Sequence, residues 1–238
     1  MSSGPVGKHF DSVAPGYDRW KEKARHYYAA LKASLAEIVP PRNHVLEVGC
    51  ATGDILASLD PADGVGIDIS PAMIQIASRK HPDLRFLVHD LMDGPIDERF
   101  DFVVAADVAE HVPDLDVCVQ AMAGMLTDNG VLVIVTANPA WGPVLHLAER
   151  LHLKMPEGDH EWRSRGDLLA AAIRAGLLER SFTRSLLVPK DLVGVGVLDR
   201  AAWASGIRQR FGLIQRAVFE TGRGPRTSPS GLVYPDPT

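Results

Sequence analysis

Three acids, Glu47, Asp68 and Asp90, sit at or near the ends of short apolar runs, and two histidines, His111 and His160, follow them in the chain. Glu47 opens a loop reading Glu-x-Gly-x-x-x-Gly, with Gly49 inside it and Gly53 at its end. A dinucleotide-binding fingerprint needs glycines at positions 49, 51 and 54, where this chain has Gly49, Ala51 and Asp54. With Glu47 before the loop and Asp54 after it, a pyrophosphate meets repulsion and a cationic ligand meets attraction. Asp68 lies 21 residues beyond Glu47, about the spacing at which a strand-end acid accepts from both hydroxyls of a ribose. An imidazole titrates near neutrality, so either His111 or His160 could take a proton from an acceptor hydroxyl.

Positioning these groups takes alternating strands and helices. His44 to Val48 is a short apolar run between Pro40-Pro41 and the Gly/Thr/Gly cluster, which reads as a buried strand breaking into a tight loop. Ile55, Leu56 and Leu59 begin a helical stripe after it. Further strands are expected at Gly64–Asp68, Arg85–His89, Phe100–Ala105 and Val131–Thr136, and the last two at Ser181–Val188 and Phe211–Glu220. Between them, Ser70-Pro71 starts a helix with Met73, Ile74 and Ala77 on its buried face. Asp114 caps a helix running through Leu126, Asp128-Asn129-Gly130 is a turn, and Ser164 with Asp167 forms a capping-box-like start to a helix stopped by Gly176. Ahead of everything, Phe10, Tyr17 and Trp20 surround a Pro15-Gly16 turn, with Asp18 as the expected cap of a helix to about Ile38.

The loop at Glu47–Gly53, in the form ExGCxTG, resembles the first motif of the class I S-adenosylmethionine-dependent methyltransferases, whose cofactor carries a sulfonium and an ammonium. HFDSVAPGYDRW, GIDIS, AEHVPD and LTDNGVLVIV resemble further family segments, and the leading one is similar to that of the quinone-methylating enzymes, where it folds over the cofactor as a lid. The resemblance runs from Phe10 to about Thr136 and is generic beyond. It implies an α/β, Rossmann-like sheet of seven strands in the order 3-2-1-4-5-7-6, the seventh antiparallel, with an N-terminal helical lid and a substrate-cap insertion. It also implies a cofactor site: Tyr17 from the lid; Glu47, Gly49, Cys50, Ala51, Thr52 and Gly53 from the loop; Asp68 on the ribose; Ile69 and Met73 around the adenine. Asp90 would take the adenine amino group, with Asp93 as its neighbour in competition, and the Leu91 N–H would take a ring nitrogen. The small residues Ala105 and Ala106 would let backbone carbonyls face the ligand ammonium, and Asp107 completes the set. The AEHVPD run departs from the Asn-Pro-Pro-Tyr type motif, which argues against methylation of nucleic-acid bases or glutamine.

The chain has 238 residues and 46% apolar composition, enough for one sizeable α/β domain with additions. Its expected divisions are a lid over 1–40, a methyltransferase domain over 41–220, with substrate-cap insertions at 138–164 and 189–210, and a Gly/Pro-rich tail over 221–238. Residues 1–149 hold 11 Lys and Arg against 21 Asp and Glu, a balance of −10; residues 150–238 hold 14 against 9, a balance of +5. An overall charge of −5 disfavours sequence-independent binding of nucleic acid, while the basic part could face an anionic substrate or lipid surface. No apolar run has the length of a membrane span, no signal pattern is present, and two cysteines make neither a disulfide framework nor a metal site, so a cytoplasmic setting is expected. The expectation is therefore methyl transfer from S-adenosylmethionine, with S-adenosylhomocysteine as product and no metal, to a small, anionic or partly apolar acceptor. O-methylation comes first, with N-methylation, a lipid or quinone acceptor, or a non-catalytic cofactor-binding protein as alternatives. The missing loop glycines disfavour a nicotinamide oxidoreductase. Monomer and homodimer both remain open.

Overall fold

A computed structural model of the chain describes residues 4–151, 153–155, 161–186 and 210–222. Seven strands form one sheet: β1 (His44–Val48), β2 (Asp63–Asp68), β3 (Arg85–Val88), β4 (Phe100–Ala106), β5 (Leu126–Ala137), β6 (Leu177–Ser185) and β7 (Ile214–Thr221). Their order is β3-β2-β1-β4-β5-β7-β6, the expected one, with β7 antiparallel to both β5 and β6 and the remaining pairs parallel. Parallel strands buried on both faces read as apolar runs, and β5 shows why. Leu132 and Ile134 pack with Leu115, Val119 and Met122 of α6 (Leu115–Gly124) and with Leu168 and Ala172 of α8 (Arg165–Arg174). Val131, Val133 and Val135 point the other way, to Leu31 and Leu35 of α3 (Arg25–Ala36) and to Ile55 and Leu56 of α4 (Asp54–Ser58). Each fully buried Val, Leu or Ile contributes about 1.5–3 kcal/mol relative to exposure, so the two cores hold the sheet central. The C-terminal strand ends, with their loops, open on one edge.

Capping follows the sequence closely. Ser70 accepts from the Met73 N–H at the start of α5 (Pro71–Lys80), Asp114 accepts from the Asp116 and Val117 N–H groups, and Ser164 with Asp167 makes a complete capping box. Gly176 has φ +77°, as expected of a helix stop.

Several boundaries differ. The leading segment is three helices and not one: α1 (Pro5–Val13), α2 (Tyr17–Lys23) and α3, with a break at Ala24. Asp18 caps none of them. Gly16 precedes α2 without a side-chain bond, and Asp18 accepts instead from Thr52 Oγ1 at 2.8 Å and from Lys80 Nζ at 2.8 Å. α6 ends at Gly124, residues 128–130 lie within β5, β6 begins at Leu177, and β7 begins at Ile214. Residues 127–130 fall where the β4–β5 register jumps from Phe100↔Leu126 to Phe102↔Val131, so the expected turn is an irregularity inside the strand. In the 138–164 stretch, α7 (Gly142–Arg150) forms; Leu145 packs inward, whereas Leu147 is exposed. The expected helix near 199–209, the segment 189–209 and residues 223–238 lie outside the described residues. Among the described residues, no helix is long and apolar enough to cross a membrane.

Candidate active site

At the C-terminal ends of β1, β2 and β4 the structure has a cavity of about 610 Å³, within the roughly 300–1,000 Å³ range of small-molecule sites. Its floor is the loop after β1. Gly49 has φ +68°, and a Cβ placed there would fall 2.3 Å from Val108 Cγ2; at Gly53, φ +79°, a Cβ would fall 2.7 Å from Phe86 Cζ. Both positions need glycine, and in each case the close neighbour is a protein side chain.

Glu47, Gly49, Cys50 and Ala51 line the cavity; Thr52 and Gly53 do not. Thr52 is fully buried and turned to Asp18. Glu47 is 1% exposed, and its Oε2 accepts from the Leu56 N–H at 2.9 Å. Burial pushes its carboxyl upward, against the pull of the Lys21 ammonium. Asp54 does not line the cavity: Lys80 at 2.8 Å and His81 at 3.0 Å hold its Oδ1, so the acid expected at the far end of the loop is already neutralised by α5 and its C-cap.

Asp68 and Ile69 line the cavity at the end of β2. The Asp68 oxygens accept from the Ala51 N–H at 2.9 Å and the Ser70 N–H at 2.8 Å, so this carboxylate ties the first loop to the second. Burial raises its carboxyl to about 6, those two N–H groups opposing, and the nearby Asp11 adds to the rise. Asp11 reaches in from α1, accepting from Ser70 Oγ at 2.6 Å and the Ala72 N–H at 3.1 Å. Met73, expected to sandwich an adenine, is instead fully buried behind the wall, and Ala105 likewise does not line the cavity. Met73 belongs to the buried face of α5, and Ala105 turns from β4 into the core; Ala106, expected beside it, lines the cavity. Asp90, Leu91 and Met92 line it beyond β3, with Asp90 accepting from the Met92 N–H at 2.9 Å.

The other end is built after β4. Asp107, at φ +55°, accepts from the Tyr27 hydroxyl of α3 at 2.7 Å; burial, with this carboxylate beside it, raises the phenol well above its ordinary range. Glu110 is 5% exposed and accepts from Thr136 Oγ1 at 2.7 Å. His111 lines the cavity next to it, with the Phe10 ring of α1 against its imidazole. The loop is stitched to the far end of the 138–164 stretch. Arg163 donates to Ala109 O at 3.2 Å and Val112 O at 2.9 Å, and the Glu161 N–H donates to Glu110 O at 2.9 Å. Of the described residues of that stretch, Glu161 is the one lining the cavity; His160 lies outside the described residues. Tyr17 and Lys21 line the cavity from α2 and Tyr28 from α3; the sequence pattern singled out neither Lys21 nor Tyr28. Glu110 was visible in the AEHVPD run, whereas nothing in the spacing marks Lys21. Burial pushes the Cys50 thiol well above its ordinary range and that of Cys118 to about 12, so neither is a thiolate near neutrality.

A doubly wound sheet with acids at the ends of its second and third strands, and an acid-bearing glycine loop after its first, defines an α/β protein built to hold a nucleoside-bearing ligand. A family model described as a methyltransferase domain matches residues 20–177. The chain belongs to this family, the class I S-adenosylmethionine-dependent methyltransferases. It is 31% identical, over 76% of this chain and 74% of the relative, to a ubiquinone biosynthesis O-methyltransferase of Azorhizobium caulinodans. To the enzyme of that name from Bradyrhizobium diazoefficiens it is 34% identical over 50% of each, so the match spans half that relative's length. Its fold is also similar to that of magnesium protoporphyrin IX methyltransferase from Synechocystis with bound S-adenosylhomocysteine: TM-score 0.62, 18% identity, 91% of this chain and 98% of that one.

Proposed function

We propose that the chain transfers a methyl group from S-adenosylmethionine to a hydroxyl oxygen of a small, partly apolar acceptor. One observation carries this reading: a single cavity joins the end at Asp68, Ile69 and Asp90 to the end at Glu110 and His111. A nucleoside-holding end and an imidazole-bearing end in one cleft suit a bound donor and an acceptor placed against it. The residues fit the cofactor: Asp68 keeps a face in the cavity to accept from ribose hydroxyls, Ile69 supplies an apolar surface for a base, and Asp90 is the acceptor for an exocyclic amino group. When bound, the cofactor supplies an electrophilic methyl on a sulfonium.

The chain's own work is then to position, to exclude water and to move one proton. Phe10 and Val6 of α1 close the cavity from above. His111 takes the hydroxyl proton, and the Arg163 fork holds the loop that aims it. On the acceptor side Val108, Val112 and Pro113 are apolar, and the charged groups there, Asp107, Glu110 and Glu161, are acids. That lining supports a partly apolar acceptor over an anionic one. A quinol-type hydroxyl is the variant favoured by the name that the relatives carry. The two free, buried cysteines suit a reducing, cytoplasmic setting.

The test supplies purified protein with methyl-labelled S-adenosylmethionine and panels of phenols, amines and carboxylic acids. Label entering phenols is the expected result. Label in amines alone overturns the choice of oxygen. Tight S-adenosylhomocysteine binding with no acceptor in any panel leaves a cofactor-binding protein and overturns the enzyme reading.

A further inference from the structure

The turn that floors the cavity is bent against its preference. Ala51 has φ +46° and Gly53 φ +79°, so two left-handed residues flank Thr52. That conformation is unfavourable for a residue with a Cβ, such as Ala51, and it persists where neighbouring groups fix it from several sides. Three hydrogen bonds do so here. The Ala51 N–H donates to Asp68 Oδ2 at 2.9 Å, the Gly53 N–H donates to Cys50 O at 2.8 Å, and Thr52 Oγ1 donates to Asp18 Oδ1 at 2.8 Å. The first comes from the end of β2 and the second from the turn itself. The third comes from α2, and neither Asp18 nor Thr52 lines the cavity.

Asp18 is itself held in place. Its other oxygen accepts from Lys80 Nζ at 2.8 Å, and the same ammonium lies 2.8 Å from Asp54 Oδ1 at the start of α4. Lys80 is the last residue of α5, so one carboxylate joins α2 to the loop and to the helix behind it. Thr52 is fully buried, and a buried hydroxyl deprived of its acceptor is costly. If α2 lifts, Thr52 loses Asp18 and the turn loses one of its three props. We propose that Asp18 is a positioning residue for the cofactor loop: acting through Thr52, it makes the left-handed turn at Ala51 depend on the seating of α2. This rests on the S-adenosylmethionine reading of the cavity. Asp18 then governs affinity from outside the cavity, without touching the ligand.

The test is calorimetry of S-adenosylhomocysteine on the wild type, Asp18→Ala, Asp18→Asn, Thr52→Val, Thr52→Ser and the double variant of Asp18→Ala with Thr52→Val. Hydrogen exchange over residues 49–54 of the ligand-free proteins accompanies it. Asp18→Ala and Thr52→Val should each weaken binding by roughly 3- to 10-fold, the scale of one net hydrogen bond. The double variant should bind no worse than the weaker single one, because both remove the same bond. Asp18→Asn keeps an oxygen for Thr52 and Thr52→Ser keeps the hydroxyl, so each should stay within about twofold of the wild type. Without ligand, Asp18→Ala should quicken exchange over the loop. A lowered thermal midpoint with unchanged affinity and exchange makes the contact structural only and overturns the proposal. Additive losses in the double variant overturn it too, as does an Asp18→Asn as weak as Asp18→Ala, which would assign the effect to charge against Lys80. Should Thr52→Val not fold, Asp18→Ala against Asp18→Asn decides alone. A wild type that does not bind S-adenosylhomocysteine removes the cofactor reading, a different failure, and the exchange comparison still judges the tie between α2 and the loop.

Discussion

The Phe10 ring meets the His111 imidazole edge to face, with centroids 5.4 Å apart and planes at 85°. One ring belongs to the first helix and the other to the loop after the fourth strand, so the start of the chain forms part of the wall at the acceptor end. Asp11, the next residue, fixes α1 on the N-terminus of α5 through Ser70 Oγ and the Ala72 N–H. An acceptor reaching His111 from that side must part the rings, and the Asp11 contact is what resists. Such a carboxylate at a helix N-terminus is worth about 0.5–2 kcal/mol, small enough for α1 to open without global unfolding.

Hydrogen exchange over Pro5–Lys23 is therefore expected to slow when S-adenosylhomocysteine binds, and to quicken in Asp11→Ala without ligand. Identical protection with and without ligand would make the segment a static buttress.

Asp68 predicts a pH dependence of definite sign. Its carboxyl is raised to about 6 in the folded chain, from an ordinary 3.8. The native state thus holds a proton that the unfolded chain has released, so this residue's contribution to stability is greatest below the unfolded value, falls as pH rises to about 6, and is level above. Ionised Asp68 is the better acceptor for ribose hydroxyls, so S-adenosylhomocysteine affinity should rise over the same window. Denaturant unfolding and calorimetry between pH 4 and 7, wild type against Asp68→Asn, isolate the effect as a difference in slope. Parallel slopes would reject it. Asp68→Ala should weaken binding by about 1.5–3 kcal/mol, the range for hydrogen bonds to a charged group.

Gly49→Ala is expected to be severe. Positive φ alone costs about 1–2 kcal/mol for a residue with a Cβ, and the new carbon would sit 2.3 Å from Val108 Cγ2. The double variant with Val108→Ala should recover part of the lost thermal midpoint and leave the backbone cost. No recovery would show that the contact with Val108 is not what forbids a side chain there.

The sheet was legible because its strands announce themselves twice, as β-branched runs and by the acids and glycines that end them. β1 matched at both ends, and Ser70, Asp114 and Ser164 capped their helices as written. What composition could not carry was phase. Thr52 sits one residue from Ala51 yet faces Asp18, Met73 keeps to the buried face of α5 and does not reach the cavity, and of the pair 105 and 106 only Ala106 lines it, because a one-residue step along β4 reverses the face. The long-range partners were equally hidden. Lys21 and Glu47 are 26 residues apart in the chain, and no local pattern links a lid helix to the loop it covers. Asp18 read as a helix cap because an Asp just past a turn can accept from the first N–H groups of a helix; α2 already begins at Tyr17, and Asp18 accepts from Thr52 and Lys80 instead.

The base assignment is tested last. His111 lines the cavity from a loop held at both ends by one side chain, since Arg163 donates to Ala109 O and Val112 O, the carbonyls that bracket Glu110 and His111. Its guanidinium fork can serve two carbonyls at once; a lysine ammonium or a glutamine amide cannot reproduce that geometry. His111→Ala should lower turnover by roughly 10²–10⁴-fold, the usual contribution of a general base, while S-adenosylhomocysteine affinity stays near that of the wild type, because the cofactor end is built from other loops. Arg163→Gln leaves the imidazole in place but frees its loop. It should therefore lower kcat and raise KM for the acceptor together, by less than His111→Ala, with the acidic limb of the pH–rate profile still present; in His111→Ala that limb should vanish. If Arg163→Gln lowers the thermal midpoint but matches wild-type kcat and KM well below it, the fork is structural only. If His111→Ala keeps turnover within about tenfold and the acidic limb survives, no proton passes through this imidazole, and catalysis here is positioning alone.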